Sequence, residues 1–151
     1  MYQLSKLPVK IKKLSDKAVI PKQADSGSAG MDLTATSEKI VMEGSISYIE
    51  YGTDLAFEIP EGFMGLIFPR SSISSATSLV LSNSVGVIDS SYRGEVKFRF
   101  KSIIPQGSKK YKVGDRIGQL IILPYPAVDL EVVEELSDTS RGTGGYGSSG
   151  T

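Results

Sequence analysis

Apolar and polar residues alternate in short stretches along this chain. Val96, Phe98 and Phe100 interleave with Lys97, Arg99 and Lys101, and residues 9–14, VKIKKL, begin in the same way. A period of two sends successive side chains to opposite faces of an extended backbone, so these stretches predict strands with one buried face. Comparable runs at Met31 to Ala35, Ile40 to Met42, Ile46 to Tyr51, Leu55 to Ile59, Phe63 to Phe68, Leu79 to Leu81, Val85 to Ile88, Tyr111 to Val113, Arg116 to Leu123 and Leu130 to Val133 predict further short strands. Between them lie turn signals such as Glu43-Gly44, Pro60-Glu61-Gly62, Pro105-Gln106-Gly107 and Gly114-Asp115. Their spacing, about 8 to 12 residues, is that of an all-β sandwich or barrel. The single helical stretch expected is a turn or two within Ser71 to Thr77, where serines can cap backbone N–H groups and an anion could sit.

Composition narrows the chemistry. The 151 residues suit one domain, and 17 Lys plus Arg balance 17 Asp plus Glu. Such a chain lacks the broad basic surface of sequence-independent nucleic-acid binding, so no nucleic-acid partner is expected. With no Cys and no His, thiol nucleophiles, the Ser-His-Asp triad, His bases and the usual zinc ligand sets are excluded. Catalysis must rest on Asp, Glu, Lys, Arg, Tyr, Ser or a hard metal held by oxygen. The Lys-interrupted N-terminus holds no signal-peptide core and no run approaches the roughly 20 apolar residues of a membrane span. No membrane partner is therefore expected, and the expected location is the cytoplasm. Residues 1–25 carry six Lys against two Asp, and residues 129–138 carry five acids and no base; both read as solvated strand faces.

The last eleven residues, RGTGGYGSSGT, contain five Gly and cannot bury enough apolar surface to order themselves. They read as a tail, or as an arm that wraps a phosphorylated ligand with one Arg, several hydroxyls and one ring. Four other segments carry candidate chemistry. In AGMDLTA, Asp32 sits in an apolar run where an unpaired carboxylate is costly, so it needs a partner or faces solvent. In PRSSIS, Arg70 emerges where a strand ends, a planar fork for phosphate oxygens beside the hydroxyls of Ser71 and Ser72, or a surface Arg at a helix cap. In NSVGVIDSSYRGE, Asp89 follows Val87-Ile88 at the turn of a hairpin, where a carboxylate beside apolar residues can act as a base on water, although any turn Asp looks similar. In DRIGQLIIL, Arg116 and Gln119 lie within a strand, with Arg pairing an acid and Gln facing water as the plain structural reading.

In combination and order, AGMDLTA, PRSSIS, GVIDSSYRGE, DRIGQL and the terminal RGTGGYGSSG resemble the five motifs of the trimeric dUTP diphosphatase (dUTPase) family, from about residue 9 to the end. The resemblance implies a jelly-roll-like β subunit over residues 1–140, with residues 141–151 as an arm. It also implies a homotrimer whose three sites are each assembled from all three chains. The implied reaction is Mg²⁺-assisted hydrolysis of dUTP to dUMP and pyrophosphate, which limits uracil incorporation into DNA and supplies dUMP for thymidylate synthesis. Carried onto this sequence, Asp89 would activate the water that attacks the α-phosphorus in line. Asp32 would act in the outer shell of the metal, through its water, or hold nearby groups in place. Arg70, Ser71, Ser72 and Gln119 would bind phosphate oxygens. Asn83 and the main chain around Val85 and Ile88 would read uracil, and Tyr92 would lie under the deoxyribose. From the arm, Arg141, Ser148 and Ser149 would clamp the outer phosphates and Tyr146 would stack on the base. Met31, Ser72-Ile73, Ser91 and Tyr146 depart from the commonest family pattern; with no second Asp in the turn, Asp89 is its only carboxylate. The rival readings are a dCTP deaminase of the same fold, a catalytically idle dUTP sensor, and a jelly-roll lectin or capsid-like domain, for which the absence of Trp is unfavourable.

Overall fold

The computed structural model describes residues 6–104 and 109–145. Among these described residues ten strands and one helical turn follow one another: β1 (Lys10–Lys13), β2 (Met31–Thr34), β3 (Ser37–Glu43), β4 (Ile46–Gly52), β5 (Leu55–Glu58), β6 (Phe63–Pro69), α1 (Ile73–Ala76), β7 (Leu79–Leu81), β8 (Gly86–Ile88), β9 (Lys97–Ser102) and β10 (Arg116–Pro124). There are two four-stranded sheets, in the orders β2-β10-β6-β8 and β3-β4-β9-β7, and a separate two-stranded sheet, β1-β5. Every pairing is antiparallel. The last strand is central in its sheet, between β2 and β6, so that sheet is complete only when nearly the whole chain has been threaded. This is the all-β architecture that the alternating pattern predicts, in the jelly-roll-like form that the family resemblance implies.

Period-two patterning is clearest in β9, where Phe98 and Phe100 are fully buried and Lys97 and Arg99 face outward. The two Phe rings lie parallel with centroids 5.9 Å apart, and Tyr51 and Tyr111 meet Phe100 edge-on or tilted at 5.9 and 5.7 Å. The Tyr51 hydroxyl is satisfied by donating to the Tyr111 carbonyl at 2.9 Å, and burial pushes its pKa far up. Leu33, Leu55, Ile117 and Leu120 complete the centre. Gly118 lets β10 approach this cluster: a Cβ there would collide with the Phe98 ring and lie 2.7 Å from the Phe68 carbonyl, both far inside van der Waals contact.

Two local expectations of strand are corrected. Tyr111 to Val113 is not a strand: Tyr111 is buried, but the chain turns at once through Gly114 at φ +97°. The Asp115 carboxylate accepts the Lys112 N–H at 2.7 Å, closing the turn. Leu130 to Val133 is not a strand either. Leu130 and Val132 are 87% and 98% exposed, so among the described residues their apolar side chains stay in solvent and the alternation there finds no sheet. The helical stretch is one turn, and Ser72 caps it without a side-chain hydrogen bond; such a short turn aligns too few peptide dipoles to hold an anion by itself.

Candidate functional site

The candidate residues fall into two groups on the chain. The first surrounds the turn after β8. Buried Ile88 anchors that strand against β6, and the next residue, Asp89, is exposed. The turn closes through the Tyr92 N–H donating to the Asp89 carbonyl at 3.0 Å. The Arg93 guanidinium ties it further by donating to the Ser90 and Tyr92 carbonyls at 2.6 and 3.0 Å. Tyr92 folds back over Gly94, where a Cβ would collide with its ring and hydroxyl, and that hydroxyl donates to the Glu95 carbonyl at 3.1 Å. Asn83 opens the β7–β8 connection, which turns through Ser84 at φ +62°. Asn83, Ile88, Asp89 and Tyr92 share the wall of one cleft of about 540 Å³, whereas Val85 does not line it. That volume accommodates a small organic ligand such as a nucleoside.

The opposite wall comes from β4 and β9. Glu50, 5% exposed, receives Arg99 at 2.8 Å, Lys39 at 3.1 Å and Lys97 at 3.4 Å. Burial pushes its carboxyl upward, but the hydrogen bonds from Arg99 and Lys39 and the charge of Lys97 outweigh that and leave it below the ordinary range. Sequence reasoning missed this network; the only available signal was an acid within the otherwise apolar run of β4.

The second group lies where β6, β10 and β2 run side by side. Arg70 follows the last residue of β6, and Gln119 of β10 is registered with both Phe68 and Asp32. The β2–β10 register slips by one residue between Arg116 and Gly118. Arg116 and Gln119 are three apart and would face opposite sides of a regular strand. The bulge turns both toward Asp32: Arg116 donates to Oδ2 at 2.8 Å and Gln119 Nε2 to Oδ1 at 3.1 Å. Arg70 Nε lies 3.4 Å from Oδ1, an ion-pair distance, and this buried nitrogen has no hydrogen-bond partner among the described residues. The expectation that Asp32 needs a partner is thus met threefold, and Gln119 turns to Asp32 rather than simply to water. Arg70 and Ser72 line a second recess of about 360 Å³ with Arg116 and Tyr111. Ser71 is exposed beside them. Burial raises the Tyr111 phenol pKa, against the opposing charge of Arg70.

The two recesses share no lining residue: Asp89 lines the first and Arg70 the second. Arg141 joins neither: its Nε donates to the Gly144 carbonyl at 2.9 Å within a local turn. Tyr146, Ser148 and Ser149 lie outside the described residues. Among the described residues, no three His, Cys, Asp or Glu side chains converge as a metal cage, and no helix is long and apolar enough to cross a membrane.

The all-β subunit carries the Asp89 turn at one recess and the Arg70 strand end at another, and comparison with known proteins shows which class of β protein this is. A family model described as dUTPase matches residues 16–150. A deoxyuridine 5'-triphosphate nucleotidohydrolase of Corynebacterium glutamicum is 41% identical over 142 residues, covering 94% of each chain. One from Clostridioides difficile is 38% identical over 152 residues, covering 99% of each. Among solved structures, the dUTPase of Staphylococcus bacteriophage 80alpha with dUPNHPP superposes with a TM-score of 0.77 at 30% identity, covering 95% of this chain and 99% of that one. A mutant dUTPase from phage phi11 of S. aureus, described as coordinating a structural Mg(II) ion, superposes with a TM-score of 0.68 at 25% identity, covering 87% and 99%. The chain belongs to the dUTPase family.

Proposed function

We propose that this protein hydrolyses dUTP to dUMP and pyrophosphate in a homotrimer, with Asp89 as the base, limiting uracil incorporation into DNA and supplying dUMP. The observation that supports the shared-site reading is that Asp89 and Arg70 line different recesses of one chain, the first assigned here to the nucleoside and the second to the phosphates. Assembly between chains joins them. The Asp89 turn then presents its exposed carboxylate to the water that attacks the α-phosphorus, while Asn83 and the backbone near Val85 and Ile88 read the uracil edge. Tyr92, held by its hydrogen bond to the Glu95 carbonyl, packs under deoxyribose and leaves no room for a ribose hydroxyl.

Arg70, Ser71, Ser72 and Gln119 take the phosphates. Asp32 is suited to holding Arg70 and Gln119 in place, since both its oxygens are engaged; any part it plays toward a metal is through water. Without a preformed cage, Mg²⁺ would be held chiefly by triphosphate oxygens, where it would withdraw charge from the leaving pyrophosphate. Arg141, Ser148 and Ser149 are assigned to the outer phosphates and Tyr146 to stacking on uracil, on the strength of the arm motif. The relatives named as deoxyuridine 5'-triphosphate nucleotidohydrolases and the complexes with dUTP analogues support this reading.

The test is pyrophosphate release from dUTP by wild type and Asp89→Asn. The amide keeps size and most hydrogen bonding but cannot accept the proton, so turnover should fall by about 10² to 10⁴ while dUTP still binds. Near-wild-type turnover in the variant would remove Asp89 from the role of base; no release by wild type, or ammonia from dCTP, would remove the activity itself.

A further inference from the structure

The turn that carries Asp89 and Tyr92 is only as well placed as its attachment to the sheet, and the structure shows where that attachment is made. Glu95, just beyond Gly94 at the edge of the cleft, reaches with its carboxylate to the corner between β4 and β5. There Oε1 accepts two consecutive backbone N–H groups, from Thr53 at 3.1 Å and Asp54 at 3.0 Å. Asp54 adopts φ +52°, a left-handed conformation uncommon outside glycine, and such a kink lets neighbouring amides converge on one anion. The corner is pinned from its other side by Ser15, whose hydroxyl donates to the Asp54 carboxylate at 2.5 Å. The Glu95 Oε2 takes Lys97 at 3.3 Å. Its backbone carbonyl receives the Tyr92 hydroxyl, so one residue grips the corner with its side chain and the sugar-facing Tyr with its main chain. Gly52 completes the seat: a Cβ there would lie 2.5 Å from Glu95 Oε1 and 2.5 Å from Ser37 Oγ.

We propose that Glu95 is a positioning residue for the Asp89–Tyr92 turn, acting through its capture of the Thr53 and Asp54 amides. Neither its side chain nor that corner need touch the substrate. A displacement of about 1 Å in a group that must align water with phosphorus can cost on the order of 10²-fold in rate, so release of this clamp should appear in turnover. The inference rests on Asp89 being the base, and its test is separable: Asp89→Asn decides that reading whatever Glu95 does.

Steady-state dUTP hydrolysis by the full chain is compared for Glu95→Ala, Glu95→Gln and Ser37→Ala/Gly52→Ala, with Ser37→Ala alone as control. In the double variant the added methyl collides only with an intact Glu95. Glu95→Ala and the double variant should each lower kcat at least about tenfold with KM changed by less than about threefold. Glu95→Gln retains a carbonyl oxygen that can accept both amides and should stay within about threefold of wild type. Combining Glu95→Ala with the double variant should cost little more than either, because they break the same contact. A purely structural role would lower the melting temperature and leave kcat intact in the folded trimer. Wild-type kcat in folded Glu95→Ala, or Glu95→Gln as slow as Glu95→Ala, would overturn the proposal. Should Glu95→Ala not fold, normal kcat in the double variant would overturn it equally.

Discussion

The two halves of the proposed site are built by opposite means. The Arg70 half stands on the paired strands β2, β10 and β6, and its side chains hold one another: one carboxylate, Asp32, faces two guanidiniums and an amide, which leaves an excess of positive charge. The Asp89 half stands on a turn held by backbone carbonyls, by Arg93 and by the Glu95 clamp, and its carboxylate is left exposed. A surface that must bind a polyanion needs cations already aimed and partly desolvated, which strand pairing and a shared counter-ion supply. A group that must take a proton needs an unshared lone pair, so it is best held by its main chain. The division teaches that loss of charge should weaken binding in the first half, whereas loss of geometry should slow turnover in the second.

The strongest way to break this comparison is to remove what is proposed to bring the halves together over the substrate. Deleting residues 141–151 should leave the β-core and trimer intact but nearly abolish activity. Mixing such chains with full-length Asp89→Asn chains should restore part of it, because an arm and a base from different subunits can meet at one site. Subunit exchange verified by mass, followed by pyrophosphate assay, checks this; no recovery would contradict the shared site. Arg70→Ala is next. Loss of a charge-assisted contact worth about 1.5 to 3 kcal/mol should lower kcat/KM by roughly 10- to 10²-fold, largely through KM. Its melting temperature should change little, since Asp32 keeps Arg116 and Gln119. An Arg70→Ala enzyme with normal KM and depressed kcat would reverse the roles assigned to the halves.

The smallest effect concerns the cleft wall. The Glu50 carboxyl titrates below its ordinary 4.5 in the folded chain. Its stabilisation is therefore present above the unfolded value and lost as pH falls through the lower folded one. Glu50→Gln should cost about 1 to 2 kcal/mol at neutral pH, toward the low side for a buried acid because Lys39, Lys97 and Arg99 can all turn to water. The gap between wild type and variant should close as pH drops below 4.5, in urea unfolding followed across that range. A gap that widened in acid would contradict the assignment.

Much of this was legible in the residues. The alternation of Phe98 and Phe100 with charged neighbours marked β9, and the turn signals Glu43-Gly44 and Pro60-Glu61-Gly62 separated strands that the structure contains. The ordered motifs around Asp32, Arg70, Asp89 and Gln119 supplied the family. Such signals are local: strand period, turn chemistry and motif spacing are each written within a few residues. What failed was also local in appearance. Leu130 to Val133 carries a strand's alternation but pairs with no strand among the described residues, and Tyr111 is buried beside a turn because an aromatic cluster receives it.

Only the tertiary structure decided which distant groups meet. Asp32 and Arg116 are 84 residues apart, and they meet because β10 inserts between β2 and β6 and bulges by one residue. Glu95 and Thr53 are 42 residues apart, and no run of sequence announces that a left-handed Asp54 turns its amide toward that carboxylate. By itself the sequence determined the strand-forming pattern, the exclusion of Cys and His chemistry, and the motif order. Register and pairing determined how those residues face one another, because an antiparallel ladder aligns side chains by position across the sheet rather than along the chain.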